Sequence, residues 1–362
     1  MNINEYYRNF SSDTVAGSAN QVLTRFPIPA EHRGRVSYRL SHGGEHYAFL
    51  FSNVVDSTFA DGSISRANDV GGTWKILSVR VGLTDTWDGE PAQWHTVTFD
   101  GARTKTVSGA VTFTTDPVAL HAEAGDYLCY EISLFGACFP YHEEMILNVR
   151  KYAQDGTLVP DKKIPVPLMI GCDRPVSKRV GFLGDSITQG IGTAYESYAH
   201  WVARIAEKLD PSVSVWDLGI GYARCSDAAT DGAWLARAKT CDVVNICLGV
   251  NDMHHDFRGK EAAETLICGL RTIVEKLNEA GCRTILFTIP PFDYGEDMRA
   301  VWQEANRAIR GALGKEAAAV FDFALPLGKP APMEHMAKFG GHPNAEGCLV
   351  VAEAYLAQFG TR

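Results

Sequence analysis

A serine, a side-chain amide and a histidine stand at three points where an apolar run of this chain breaks into a turn. Ser186 lies in Gly181-Phe182-Leu183-Gly184-Asp185-Ser186-Ile187-Thr188-Gln189-Gly190, after a short, basic-flanked run from Lys178 to Leu183. A buried strand that stops at Gly184 presents the next hydroxyl at the carboxyl edge of a parallel sheet, where open α/β folds bind their ligands. Asn251 ends a second apolar run in Gly249-Val250-Asn251-Asp252, and His342 opens His342-Pro343-Asn344 near the C-terminus. A serine hydroxyl is a poor nucleophile at neutral pH and needs an adjacent base, a task that suits imidazole. The oxyanion of a tetrahedral intermediate needs preorganised donors, which the Asn251 amide and the Ser186 backbone N–H can supply. Each such donor is worth about 2.7 to 4 kcal/mol, or ~10²–10³ in rate. The chemistry implied is acyl transfer.

Each residue also has a plainer role. Ser186 could cap a helix, Asn251 could be an ordinary turn residue, and His342 competes as base with His254 and His255. The three together, in this order, favour the chemical reading. His254-His255-Asp256 is read as a rim loop, because adjacent residues rarely converge on one ion. No metal and no other cofactor is expected. Asp185 and Asp252 are read as holding their loops by local hydrogen bonds.

These blocks resemble the GDSL, or SGNH, hydrolase family, defined by separated blocks carrying Ser, Gly, Asn and His in that order. The resemblance covers roughly residues 178 to 358 and implies catalytic roles for Ser186 and His342, with Asn251 in the oxyanion hole. Two positions depart from the pattern. Phe339 stands three residues before the histidine, where the family usually carries Asp. The second block, usually Asn-x-Gly-x-x-Gly, reads Asp217-Leu218-Gly219-Ile220-Gly221-Tyr222. Gly221 is taken as the oxyanion glycine, with Gly219 as the alternative. A backbone carbonyl near Phe339-Gly340 would orient His342, or another acid would reach it: Glu334, Glu346 or Asp293. Some SGNH carbohydrate esterases with a β-sandwich ahead of the catalytic domain use a Ser–His dyad, and this chain is similar to them in both respects.

The elements that must position these residues change character along the chain. From about residue 20 to 170, short β-branched or aromatic segments alternate with turn punctuation such as Gly43-Gly44, Asp100-Gly101 and Gly125-Asp126. This predicts an antiparallel β-sandwich, jelly-roll-like, over residues 1–170. Its Trp and Tyr residues are read as core, not as a sugar platform. From about 178, helical periods appear at Tyr198, Trp201, Val202, Ile205, Ala206 and Leu209, and again from Leu266 to Leu277. Apolar runs separate them: Val213 to Trp216, Val243 to Leu248, Thr284 to Ile289 and Ala318 to Phe323. Alternating strand and helix predict a three-layer α/β/α domain with a flavodoxin-like parallel sheet over 178–362. Asp155 to Ser177, rich in Pro and Lys, is read as the connection.

Composition narrows the partners. The 362 residues suit two domains, and the 46% hydrophobic share is ample for packed cores. A net charge of −9 without a basic stripe argues against nucleic acid. No apolar stretch approaches the roughly 18 to 20 residues that span a bilayer, and the N-terminus does not read as a signal peptide. Nine cysteines sit singly with no C-x-x-C pair, as reduced thiols in a cytoplasm do. A homo-oligomer is compatible with the sequence.

The expectation is a serine esterase acting on short acyl esters, O-acetyl groups on a carbohydrate foremost. Two rivals stand beside it: a lipase or acylhydrolase on lipid-type esters, and a non-catalytic carbohydrate-binding protein with a decayed hydrolase half.

Overall fold

The computed structural model describes residues 1–57, 66–255, 260–327 and 335–360. Alternation of side chains across strands builds the first half. In Val118–Glu123, Val118, Leu120 and Ala122 are buried while Ala119, His121 and Glu123 face solvent, the period-2 signature of a half-buried strand. Two large antiparallel sheets result, beside a two-stranded pair of Val22–Leu23 with Pro140–Tyr141. One pairs Ser11–Ser12, Met169–Cys172, Gly43–Ser52 and Thr112–Thr114 in that order, with Val118–Glu123 also on Gly43–Ser52. The other runs Leu158–Pro160, Arg150–Tyr152, Ala30–Arg39, Tyr127–Gly136, Trp74–Thr84 and His95–Val97, with Lys105–Val107 also on Trp74–Thr84. Aromatic side chains fill the space between sheets: Phe49 and Phe51 of the first approach Tyr130 of the second at 6.5 and 6.2 Å.

The supposed connection from Asp155 to Ser177 contains two of these strands, Leu158–Pro160 and Met169–Cys172. Its prolines and lysines obscured the buried run Leu168-Met169-Ile170, which pairs with Gly43–Ser52 through Ile170 and Phe49. The tryptophans divide. Trp74 is core, whereas Trp87 and Trp94 are only half-buried and lie beneath arginines. Arg150 covers Trp87 at 5.0 Å and Arg80 covers Trp94 at 4.0 Å, each a cation–π contact.

The second half is a five-stranded sheet, parallel throughout, in the order Val213–Gly219, Lys178–Gly184, Val243–Cys247, Arg283–Phe287, Ala319–Phe321. In chain order that is 2-1-3-4-5, with its switch point between the first and third strands. Helix Lys260–Glu279 lays Ala263, Leu266, Leu270, Ile273, Val274 and Leu277 on the sheet. The period read from Tyr198 yields a shorter helix, Trp201–Ala206. Tyr198 itself is left-handed at φ +49°, and its hydroxyl accepts the Arg39 amide at 2.8 Å. A contact across the halves has replaced the first helical turn.

Other bonds of this kind join the two halves. Trp216 Nε1 donates to the Leu168 carbonyl at 3.1 Å, and Ser214 Oγ to the Ser12 carbonyl at 2.8 Å. All nine cysteines are unbridged, and only Cys268 is exposed. Among the described residues, no helix is long and apolar enough to cross a membrane.

Candidate active site

The switch point fixes the geometry. Gly184 ends the strand Lys178–Gly184, in register with Gly219 on one side and Cys247 on the other. The segments leaving the carboxyl ends of these three neighbouring strands carry Ser186, the Gly221 loop and Asn251. Asp185 caps the short helix Ser186–Gln189 by accepting the Ile187 amide at 3.0 Å. The cap is therefore the aspartate, and Ser186 is the first helical residue.

His342 arrives from the far end of the chain. Its Nε2 lies 2.8 Å from Ser186 Oγ. The turn that delivers it contains Gly340 at φ +72° and Gly341 at φ +138°, conformations that favour glycine. Asp293 N–H donates to the Gly340 carbonyl at 2.6 Å, and the Phe292 ring stands edge-on to the imidazole at 5.2 Å. Asn344 caps the following helix, Ala345–Phe359, by accepting the Glu346 and Gly347 amides. Gly192, at φ +106°, lets the loop after Ser186 pass the histidine; a Cβ there would lie 3.1 Å from His342 Cβ. That loop's contact with the base was not legible in the sequence.

Asn251 is almost fully buried, and its Nδ2 donates to the Ala223 carbonyl at 3.0 Å. An amide nitrogen carries two hydrogens, so the same group can donate again. The second-block loop is held by Gly219 N–H donating to Asp217 Oδ1 at 2.7 Å and Ile220 N–H donating to the Gly184 carbonyl at 3.0 Å. Neither Gly219 nor Gly221 adopts positive φ; the left-handed residue is Tyr222, at φ +63°. The family pattern has glycine there, and the backbone keeps that conformation under a bulky side chain, a local strain typical of functional sites. Gly221 is glycine for a different reason. A Cβ there would overlap the carboxylate of Glu144, a residue of the sandwich half. No motif marks Glu144 in the sequence.

Of the acids weighed as partners for His342, Asp293 borders its turn: a Cβ on Gly340 would lie 3.1 Å from Asp293 Oδ1. Glu346 is exposed and faces His335 at 3.9 Å. Glu334 and Asp256 lie outside the described residues, as do the side chains of His254, His255 and Phe339. Among the described residues, no group of three or more His, Cys, Asp or Glu side chains could hold a metal ion.

Two buried carboxyls sit beneath the site. Burial pushes Asp185 up to about 7, with the charge of Asp252 adding to the shift. Burial likewise pushes Asp252 up to about 7, opposed by the Cys225 amide, which donates to both of its oxygens at 3.1 Å.

Residues 182–349 match the model of the GDSL-like Lipase/Acylhydrolase family. This segment is a GDSL-like hydrolase domain. No curated protein matches the chain. Among solved structures, the GDSL domain is similar to a putative lipolytic protein of the G-D-S-L family from Desulfitobacterium hafniense DCB-2. The identity is 20% and the TM-score 0.41, over 49% of this chain and 97% of that one. Axe2, an acetylxylan esterase from Geobacillus stearothermophilus, aligns at 22% identity and TM-score 0.41, over 51% of this chain and 95% of its own. The acetyl xylan esterase AlAXEase aligns at 20% and 0.40, over 50% and 99%.

Proposed function

We propose that the protein is a serine esterase that removes short acyl groups, O-acetyl foremost, from a carbohydrate. The observation that carries this reading is the 2.8 Å contact between Ser186 Oγ and His342 Nε2 at the switch point of the sheet. In this mechanism His342 takes the hydroxyl proton as Ser186 attacks the ester carbonyl. The oxyanion accepts hydrogen bonds from the Ser186 and Gly221 backbone N–H groups and from the Asn251 amide. The protonated imidazole then gives its proton to the departing alcohol, leaving an acyl-serine. Water, activated by the same histidine, attacks the acyl carbonyl and restores the hydroxyl.

Ser186 and His342 act as the nucleophile–base pair, a dyad in this reading, with His342 carried on the Gly340-Gly341 turn that Phe292 and Asp293 border. Family membership supports ester hydrolysis; the small turns around Ser186 support a short acyl group. A series of p-nitrophenyl esters from acetyl to octanoyl tests the acyl part, with kcat/KM expected to be highest at acetyl. A steady rise with chain length would overturn it in favour of a lipid-type substrate. Release of acetate from acetylated xylooligosaccharides tests the alcohol part.

A further inference from the structure

The sandwich half brings a carboxylate to the loop of the second block. Glu144 lies against the α-carbon of Gly221, in the loop that leaves the second strand of the catalytic sheet. Its position is built. Gln21, fully buried, accepts the Glu144 amide on Oε1 at 3.0 Å. Its Nε2 donates to Glu144 Oε2 at 3.3 Å and to the Gly221 carbonyl at 3.0 Å. The Glu144 carbonyl in turn accepts from the Gln189 side chain, at the end of the nucleophile's helix. One side chain therefore clamps Glu144 to the oxyanion loop, while a second ties it to the turn that carries Ser186.

The carboxylate remains partly open to solvent. Burial raises its pKa, against the Gln21 hydrogen bond and the positive charge of Lys162. Its charge also reaches Tyr222, helping burial to raise that phenol. The same Lys162 places its Nζ 3.4 Å from the hydroxyl of Tyr195, whose ring is 52% exposed. A carboxylate, an ammonium whose charge acts on it and an exposed aromatic ring match the faces of a sugar ring, whose hydroxyls donate and accept and whose C–H face packs on aromatics.

We propose that Glu144 is a specificity-determining residue that accepts a hydrogen bond from a free hydroxyl on the alcohol part of the ester. The preferred substrate is then a neutral, partly acylated polyol, and the sandwich completes the substrate site. This rests on the esterase reading above. A charged acceptor at hydrogen-bond distance from a substrate hydroxyl favours substrates that carry one, because an analogue without it displaces water from the carboxylate and returns no hydrogen bond.

The test compares wild type, Glu144→Ala and Glu144→Gln on p-nitrophenyl acetate and on a mono-O-acetylated methyl xyloside with free hydroxyls. The quantity read is the ratio of kcat/KM for the glycoside to that for the aryl ester. It should fall at least tenfold in Glu144→Ala and less in Glu144→Gln, whose amide oxygen still accepts. A ratio within threefold of wild type in both variants would overturn the proposal, as would equal loss on both substrates, which marks a structural role. Wild-type protein inert toward both esters would remove the esterase reading itself. Turnover of the aryl ester with an unmoved ratio removes only the role of Glu144.

Discussion

The Gln21 side chain of the sandwich donates to the carbonyl of Gly221 at 3.0 Å, across 200 residues of sequence, and so fixes the loop that precedes Tyr222. Gln21→Leu keeps the bulk but strands the Gly221 carbonyl and the Glu144 amide in the interior. Unpaired buried polar groups cost about 1 to 3 kcal/mol each. Urea unfolding should show a loss of that order. Turnover of an acetyl ester should fall ~10-fold or more, since a displaced oxyanion loop misplaces its donors. Unchanged kcat in a destabilised variant would separate the loop from the chemistry.

A second tie between the halves is ionic. Arg237 Nη2 lies 2.7 Å from Asp56 Oδ2, with both side chains almost fully buried. Asp56 also accepts the Asn20 amide at 2.8 Å. Removing one partner of a buried pair leaves an uncompensated charge, at about 3 to 5 kcal/mol. Asp56→Ala should therefore destabilise far more than the double change Asp56→Ala with Arg237→Met, as measured by chemical denaturation. Equal losses would show that packing, not charge, dominates at this contact.

Stability should fall as pH rises through the range between the unfolded carboxyl value and about 7. Asp185 and Asp252 are both held up to about 7, so the folded state binds more protons than the unfolded chain in that window. By linkage, unfolding free energy then decreases with pH. Asp252→Asn, whose amide oxygen can still accept the Cys225 amide, should flatten that slope, stabilising the protein more at pH 8 than at pH 5. Thermal melts at the two pH values measure it, and an equal shift at both would contradict the assignment.

Much of the site was legible because the residues that define it occupy strand-to-loop junctions, and apolar runs reveal where strands end. Ser186 and Asn251 follow from that logic, and the parallel sheet from the alternation around them. The Tyr222 backbone could have been read from the family pattern, since a residue in glycine's place must still adopt glycine's φ or move the loop. Glu144 and Gln21 could not be read so. Their contacts cross from 45 to 200 residues, and nothing local distinguishes them from other sandwich side chains. The strand Met169–Cys172 was hidden because Pro and Lys flank a short buried run, and short runs carry little periodicity.

The orientation of His342 yields its own prediction. Asp293→Asn and Glu346→Gln should each keep more than about a tenth of wild-type kcat, a barrier change of at most about 1.4 kcal/mol. Removing the aspartate of a Ser-His-Asp triad costs ~10⁴. A loss of that size in Asp293→Asn, the acid bordering the Gly340 turn, would make it the third member of a triad and end the dyad account.

The central claim is that Ser186 and His342 act as one unit. Its most direct measurement is hydrolysis of p-nitrophenyl acetate by wild type, Ser186→Ala and His342→Ala, with far-UV circular dichroism to verify folding. Members of such a unit are not additive, so each single variant should lose more than about 10³ in kcat while remaining folded, and the double variant should lose no more than the worse single. Near-wild-type turnover by folded Ser186→Ala would contradict the account.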